Sequence, residues 1–316
     1  MKKLVSYVVP FYFDQGNVRA LYDSFANTTS QTKYSKKYDY EFIFVNDGST
    51  DNTLTELYEI ANDDYRVTII NLARNYGHQI AVTAGLDAVK GDATIIMDSD
   101  LQDPPRVSLE LIDRWEEGYD VVYAQRRTRK DVFLKKISAD IYYRLLHTMA
   151  DIDIPRNTGD FRLIDRKIVE ELKKYKEHNR YLRGLVSYIG FKQVAVLFDR
   201  DERYAGESGY SFKRLMQLAK DGIFGFSSMP LKMISRLGFV IAASSAIAII
   251  YAIWYKLSPG AVVEGWAFIV ISIFFIGGVQ LVMLGVLGSY IGRIYTEVQN
   301  RPLYGVEARY NAKKSK

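Results

Sequence analysis

The first half of the chain alternates short apolar runs with segments of helical spacing. The runs are Lys3 to Pro10, Tyr40 to Asn46, Val67 to Asn71, Ala93 to Met97 and Asp120 to Ala124. Rich in Val, Ile and aromatic residues and bounded by Gly, Pro, Asn or Asp, they predict five strands. Helices are predicted over Asn17 to Asn27, from Thr50 or Asp51 to Ala61, over Gln79 to Val89 and over Val107 to Glu117. Thr50 or Asp51 suits the cap position of the second. Thr28 to Tyr38 is polar and reads as an exposed loop. Repeated β-α-β units imply an α/β fold, a mainly parallel sheet with helices on both faces. Such sheets bind ligands at the carboxyl ends of their strands, where Asp47 and Asp98 both fall.

The pattern changes toward the C-terminus. Leu237 to Tyr255 is 19 residues without a charge, and Gly265 to Gly292 is 28. At 1.5 Å per residue the first reaches roughly 28 Å, enough to cross a bilayer core. The second is longer and must tilt or continue past the interface. Trp254, Tyr255 and Trp266 flank the short connection, as interfacial aromatics do. Two further segments are amphipathic and basic. One places Phe133, Ile137, Ile141, Leu145 and Met149 every four residues; the other carries Phe212, Leu215, Met216, Ala219, Ile223 and Phe224 opposite Lys213, Arg214 and Lys220. The second leads into the first apolar span and suits the headgroup plane. These shifts divide the chain into an α/β domain (1–210), a juxtamembrane amphipathic segment (211–233), two transmembrane helices (234–257 and 264–295) and a basic tail (296–316). Gly288 and Gly292 form a small-xxx-small pair suited to a helix–helix contact, within the chain or in a homo-oligomer.

Charge sets an expected orientation. Seven Lys/Arg lie between Asp199 and Arg236, six from Arg293 onward, and only Lys256 in the hairpin connection. The positive-inside rule places the domain and the tail in the cytoplasm, on a cell membrane crossed twice. Met1-Lys2-Lys3 before an apolar run imitates a signal peptide, but Pro10 and Asp14 cut that run short, so it reads as the first strand. The net charge of +5 suits phosphates or anionic headgroups and is too small to argue for nucleic acid. With no cysteine, disulfides, zinc–thiolate sites and thiol catalysis are excluded.

Asp98-Ser99-Asp100 follows a buried run directly and precedes Leu101-Gln102-Asp103-Pro104-Pro105. Two carboxylates two residues apart at a strand end can meet one divalent cation, with substrate phosphates completing its shell. Asp47-Gly48-Ser49-Thr50-Asp51 follows another strand; an Asp there can accept from a base N–H, and Gly permits a tight turn. The plain alternatives are a solvated turn and a helix-capping turn. His78 and His147 have no ligand-type neighbours in sequence and receive no role. No Gly-x-Gly-x-x-Gly follows the first strand, which disfavours a dinucleotide oxidoreductase.

Several segments in order resemble one family. They are Val8-Val9-Pro10-Phe11-Tyr12, Val45 to Asp51, Arg74-Asn75-Tyr76-Gly77, Asp98 to Pro105, Asn157-Thr158-Gly159-Asp160-Phe161-Arg162-Leu163 and Arg203-Tyr204-Ala205-Gly206-Glu207-Ser208. With the two apolar spans, the chain resembles the polyprenyl-phosphate glycosyltransferases, including dolichol-phosphate mannose synthase and the bactoprenol glucosyltransferases. The resemblance implies a glycosyltransferase A-type fold and an inverting hexose transfer from a nucleotide-sugar donor to polyprenyl (undecaprenyl) phosphate. UDP-glucose is the foremost donor, before UDP-N-acetylglucosamine and GDP-mannose. It implies that Pro10, Tyr12, Asp14, Asp47 and Asp98 line the nucleotide pocket, and that Asp98, Asp100 and Gln102 hold Mg²⁺ or Mn²⁺. Asp160 and Asp100 are the implied catalytic carboxylates; Arg126, Arg203 and Ser208 would meet phosphates. The family has Asn then Glu after Tyr12, where this chain has Phe13 and Asp14. Processive polysaccharide synthases share the domain but carry Gln-x-x-Arg-Trp, and Arg114-Trp115 has Leu111 at the Gln position. A membrane scaffold that has kept the fold without catalysis is the reading from a different class, and intact Asp98, Asp100, Gln102 and Asp160 oppose it.

Overall fold

In the computed structural model, residues 2–127, 155, 158–199, 227, 229–256 and 265–312 are described. The strands are β1 (Lys3–Phe11), β2 (Tyr38–Asn46), β3 (Val67–Leu72), β4 (Ala93–Ile96), β5 (Val121–Arg126), β6 (Thr158–Asp165), β7 (Gln193–Phe198) and β8 (Val306–Asn311). The helices are α1 (Val18–Thr29), α2 (Thr32–Ser35), α3 (Thr53–Asp63), α4 (His78–Ala88), α5 (Val107–Glu116), α6 (Arg166–Leu172), α7 (Leu182–Ile189), α8 (Met229–Lys256) and α9 (Trp266–Val298).

All eight strands form one sheet in the order β7-β5-β6-β4-β1-β2-β3-β8. β1 to β4 are mutually parallel, as β-α-β crossovers require. β6 enters antiparallel between β4 and β5, and β8 closes the far edge antiparallel to β3. The central strands are buried on both faces, so they read as unbroken apolar runs rather than alternating ones. Tyr7, Phe25, Phe42, Phe44, Leu57 and Ile112 pack on one face. Val8, Ile43, Val45, Ile70, Ala81 and Ile164 pack on the other, beneath α4, α6 and α7.

Two expectations change. Thr28 to Tyr38 is not a plain exposed loop: it holds α2, with Tyr34 buried and donating from its hydroxyl to Asp113 at 2.9 Å. The tail is not merely a basic extension either. Its strand β8 is half polar, and its pairing is set by backbone bonds to β3 that no local sequence pattern announces.

α8 and α9 have lengths of about 42 and 50 Å at 1.5 Å per residue. Both contain stretches long and apolar enough to cross a membrane, with mean hydropathy 1.4 and 2.2. Their large side chains face outward, Phe239, Phe268 and Phe274 among them. Gly238 of α8 packs beside Met283 of α9, and Tyr290 donates to the Ser227 carbonyl at 2.8 Å. Gly288 and Gly292 do not meet α8; among the described residues a side chain at either position would face open space. The connection over 257–264, the amphipathic segments over 133–149 and 212–224, and Asn157, Arg203 and Ser208 lie outside the described residues.

Candidate active site

The carboxyl ends of β1, β2 and β4 converge with the middle of β6. From β4 the chain leaves through Met97 into Asp98, Ser99 and Asp100, with Asp98, Asp100 and Gln102 each half-buried. Leu101 adopts a left-handed conformation (φ 58°), uncommon for a branched side chain and of the kind that clusters at functional loops. The turn lets the Gln102 N–H reach Asp100 Oδ1 at 3.1 Å.

Asp160 lies on β6 rather than on a loop, with only 6% of its surface exposed. Arg183 Nε, from α7, donates to its Oδ1 at 2.7 Å. His78 Nε2 lies 3.0 Å from Oδ2, and Gln79 Nε2 donates to the same oxygen at 3.1 Å. The other end of the Gln79 amide accepts from the Leu182 N–H at 2.9 Å, which fixes its orientation. His78 Nε2 also sits 3.6 Å from Asp98 Oδ1. The imidazole thus bridges the β4 carboxylate and the β6 carboxylate at the start of α4, where the helix dipole favours negative charge. His78 therefore has two acidic neighbours, contrary to the sequence-based expectation. They come from residues 20 and 82 positions away in sequence, beyond any local pattern.

The charges reinforce one another. Burial pushes Asp160 upward, but the Arg183 guanidinium and His78 hold it well below the ordinary carboxylate range. Burial disfavours the charged His78 ring, yet Asp160 and Asp98 raise it to about 9. Asp98 moves the other way: burial raises it, His78 opposes, and nearby Asp160 and Asp100 add to the rise. Carboxylates that repel one another at a partly open strand end form a donor set that a hard divalent cation relieves, so Asp98, Asp100 and the Gln102 amide fit Mg²⁺ or Mn²⁺. Arg162 follows Asp160 by two residues, buried, and donates to the Gly159 carbonyl at 3.0 Å. Burial lowers it to about 10 while Asp160 pulls it back up. Arg126 ends β5 alongside Gly159, where an added Cβ would stand 3.5 Å from its guanidinium.

The residues expected around the nucleotide divide into two kinds. Tyr12 and Phe13 are 46% and 51% exposed, edge-to-face with ring centres 4.5 Å apart, at the end of β1. Asp14 and Asp47 turn inward. Asp14 Oδ2 accepts from the Tyr12 N–H at 2.9 Å and the Ser99 hydroxyl at 2.7 Å, tying the first loop to the Asp-Ser-Asp turn. Asp47, 2% exposed, accepts from the Tyr76 and Gly77 N–H groups at 2.7 and 2.9 Å. It pins the Arg74–Gly77 loop to β2. Gly48 has φ 69°, and a Cβ there would collide with the Arg74 and Asn75 backbone. Pro10 is buried within β1 beside Val45. His78, Gln79 and Arg183 are the site residues that sequence reasoning missed. His78 and Gln79 carried one usable signal, their place just after the Arg-Asn-Tyr-Gly segment; Arg183 carried none.

The profile of glycosyl transferase family 2 matches residues 6–173, and the chain belongs to that family. It is 46% identical over 306 residues to the uncharacterized glycosyltransferase YkcC of Bacillus subtilis, covering 96% of this chain and 94% of the relative. The glycosyltransferase sll0501 of Synechocystis is 42% identical over 301 residues, covering 95% and 93%. The SfII prophage-derived bactoprenol glucosyl transferase of Shigella flexneri is 38% identical over 304 residues, covering 95% and 96%. Within family 2, therefore, the chain is one of the polyprenyl-phosphate glycosyltransferases.

Proposed function

We propose that this protein moves a hexose, with inversion, from a nucleoside diphosphate sugar to the phosphate of a polyprenyl lipid, with UDP-glucose and undecaprenyl phosphate as the foremost pair. The observation that carries the reading is the meeting of Asp98 and Asp160 across His78, with Arg183 on Asp160 and Asp100 next to Asp98. Similarity along nearly the whole chain to a bactoprenol glucosyl transferase supports the acceptor class.

In this reading one oxygen of the lipid phosphate bonds to the anomeric carbon as the bond from that carbon to the diphosphate breaks. The electron pair leaves with the diphosphate. The second pKa of a phosphate monoester is about 6, so most of the nucleophile carries no proton to remove at neutral pH. Asp160 then serves to orient the reacting groups and to face the positive charge developing on the sugar ring. Arg183 and His78 keep it ionised for that task. Mg²⁺ or Mn²⁺ held by Asp98 and Asp100, with Gln102 beside them, would mask the charge of the departing diphosphate. Arg126, beside Gly159, would meet a phosphate, and Arg203 and Ser208 keep the phosphate role that the family motif gives them.

In this reading residues 1–210 together with β8 form the catalytic domain, 211–233 are the juxtamembrane segment, 234–257 and 264–295 cross the membrane, and the 296–316 tail returns to the cytoplasm, where β8 joins the sheet. The test offers membranes carrying the protein a panel of labelled nucleotide sugars with undecaprenyl phosphate and Mg²⁺ or Mn²⁺. Labelled lipid from UDP-glucose above all others is expected; no labelled lipid from any donor overturns the proposal.

A further inference from the structure

We infer that Glu307, on the C-terminal strand β8, is a positioning residue for the nucleotide pocket and acts through a buried relay of two asparagines. This rests on the donor-site reading above. Glu307 Oε2 accepts from Asn71 Nδ2 at 2.9 Å. Asn71 Oδ1 accepts from Asn46 Nδ2 at 2.7 Å. Asn46 Oδ1 accepts from the Ser49 N–H at 3.4 Å, and Ser49 Oγ accepts from the Phe13 N–H at 3.2 Å. The relay ends on the two loops that carry Tyr12, Phe13 and Asp47.

Its direction is set from the C-terminal end. A carboxylate only accepts, so Asn71 must present its NH₂ to Glu307 and its oxygen to Asn46. Asn46 must then present its NH₂ to Asn71 and its oxygen to Ser49. Asn46 and Asn71 are 1% and 6% exposed, so water does not readily enter the bond between them, while Glu307 closes the relay from the exposed side. Phe13, at the far end, holds a left-handed backbone (φ 56°) that needs outside support. The residues leading into β8 make two more contacts, one next to the Arg74–Gly77 loop and one at the end of α4. The Gly305 carbonyl accepts from the Ala73 N–H at 3.0 Å, and the Tyr304 hydroxyl donates to Asp87 at 2.8 Å. The strand is itself paired to β3 through its backbone, so changing the Glu307 side chain leaves that pairing in place.

The experiment compares Glu307→Gln, Glu307→Ala and Glu307→Lys in the full-length detergent-solubilised protein. UDP affinity with Mg²⁺ is read by calorimetry, and amide exchange over residues 46–49 is read without ligand. Gln keeps an acceptor and is expected to match the original protein. Ala loses the acceptor, with UDP binding weakened roughly fivefold to tenfold. Lys only donates, reverses the demand on both amides, and is expected to weaken binding more than Ala and to speed exchange at Ser49 most. A purely structural role for β8 predicts no such ranking. Equal UDP affinity in all three variants, or unchanged exchange at Ser49 in Glu307→Lys, overturns the inference. An original protein that binds no UDP overturns the donor reading instead, and the exchange ranking still decides whether the relay exists.

Discussion

The two halves of the sheet deliver their acids differently. In the half β4-β1-β2-β3-β8, Asp14, Asp47, Asp98 and Asp100 all sit on loops just past strand ends. In the half β7-β5-β6, Asp160 sits within β6 at the irregularity opposite β5, and its carboxylate is held by Arg183 of α7 and by His78 and Gln79 of α4. Loops past parallel strands can adjust to a ligand, whereas a carboxylate gripped by side chains from two helices keeps its place. In the proposed reaction, the division suits a donor that is gripped and released and a carboxylate whose position relative to the reacting carbon does not drift.

Four changes test that division. The largest effect is expected from Asp160→Asn, which keeps the shape and removes the charge. Turnover should fall by roughly 10²–10⁴-fold while UDP binding by calorimetry is unchanged; equal loss of binding would erase the distinction between the halves. Next, Asp98→Asn combined with Asp100→Asn, or excess chelator, should cost roughly 10²–10³-fold in turnover and also abolish the metal dependence of UDP binding. Full activity in chelator would refute the metal role. Third, Gly48→Ala forces a side chain into a left-handed turn against the Arg74 backbone, and should cost about 1–3 kcal/mol of stability by thermal unfolding. The donor KM should rise before kcat falls. The smallest effect is expected from Glu116→Gln, on α5 beneath the opposite ends of the strands. Glu116 accepts from Lys37 at 2.9 Å, Lys3 at 3.0 Å and Tyr38 at 2.8 Å. Burial raises its pKa, but Lys37, Lys3 and Tyr38 together lower it to about 2. Because the folded value is depressed, the stabilisation is present above the ordinary Glu range and is lost as pH falls toward 2. The difference in melting temperature between the two proteins should therefore close over that acid window, with no change in kinetics at neutral pH.

The parallel half was legible because its strands are buried on both faces, which leaves an apolar run bounded by Asp, Asn and Gly that needs no partner to be seen. Asp98 and Asp100 were legible for the same reason, as the first polar residues after such a run. β6 was not: the buried Asp160 and Arg162 break up its apolar residues, and Asp160 was reached only through its motif. His78 looked idle because its partners Asp98 and Asp160 reach it through the fold, not through spacing. Asp14 and Asp47 were placed in the right loops, but their inward hydrogen bonds depend on Ser99, Tyr76 and Gly77, which only the fold brings near. β8 was hidden most completely. Glu-Ala-Arg-Tyr lacks an apolar run, and its partner β3 lies more than two hundred residues earlier.

That distance has a consequence for biosynthesis. β8 emerges from the ribosome after both apolar helices, so the edge of β3 stays unpaired until they have been made. A chain stalled or cleaved between α9 and β8 would carry Asp98, Asp100 and Asp160 but lack Glu307 and leave an open sheet edge. Completion of the eight-stranded sheet is thereby tied to the synthesis of both apolar helices.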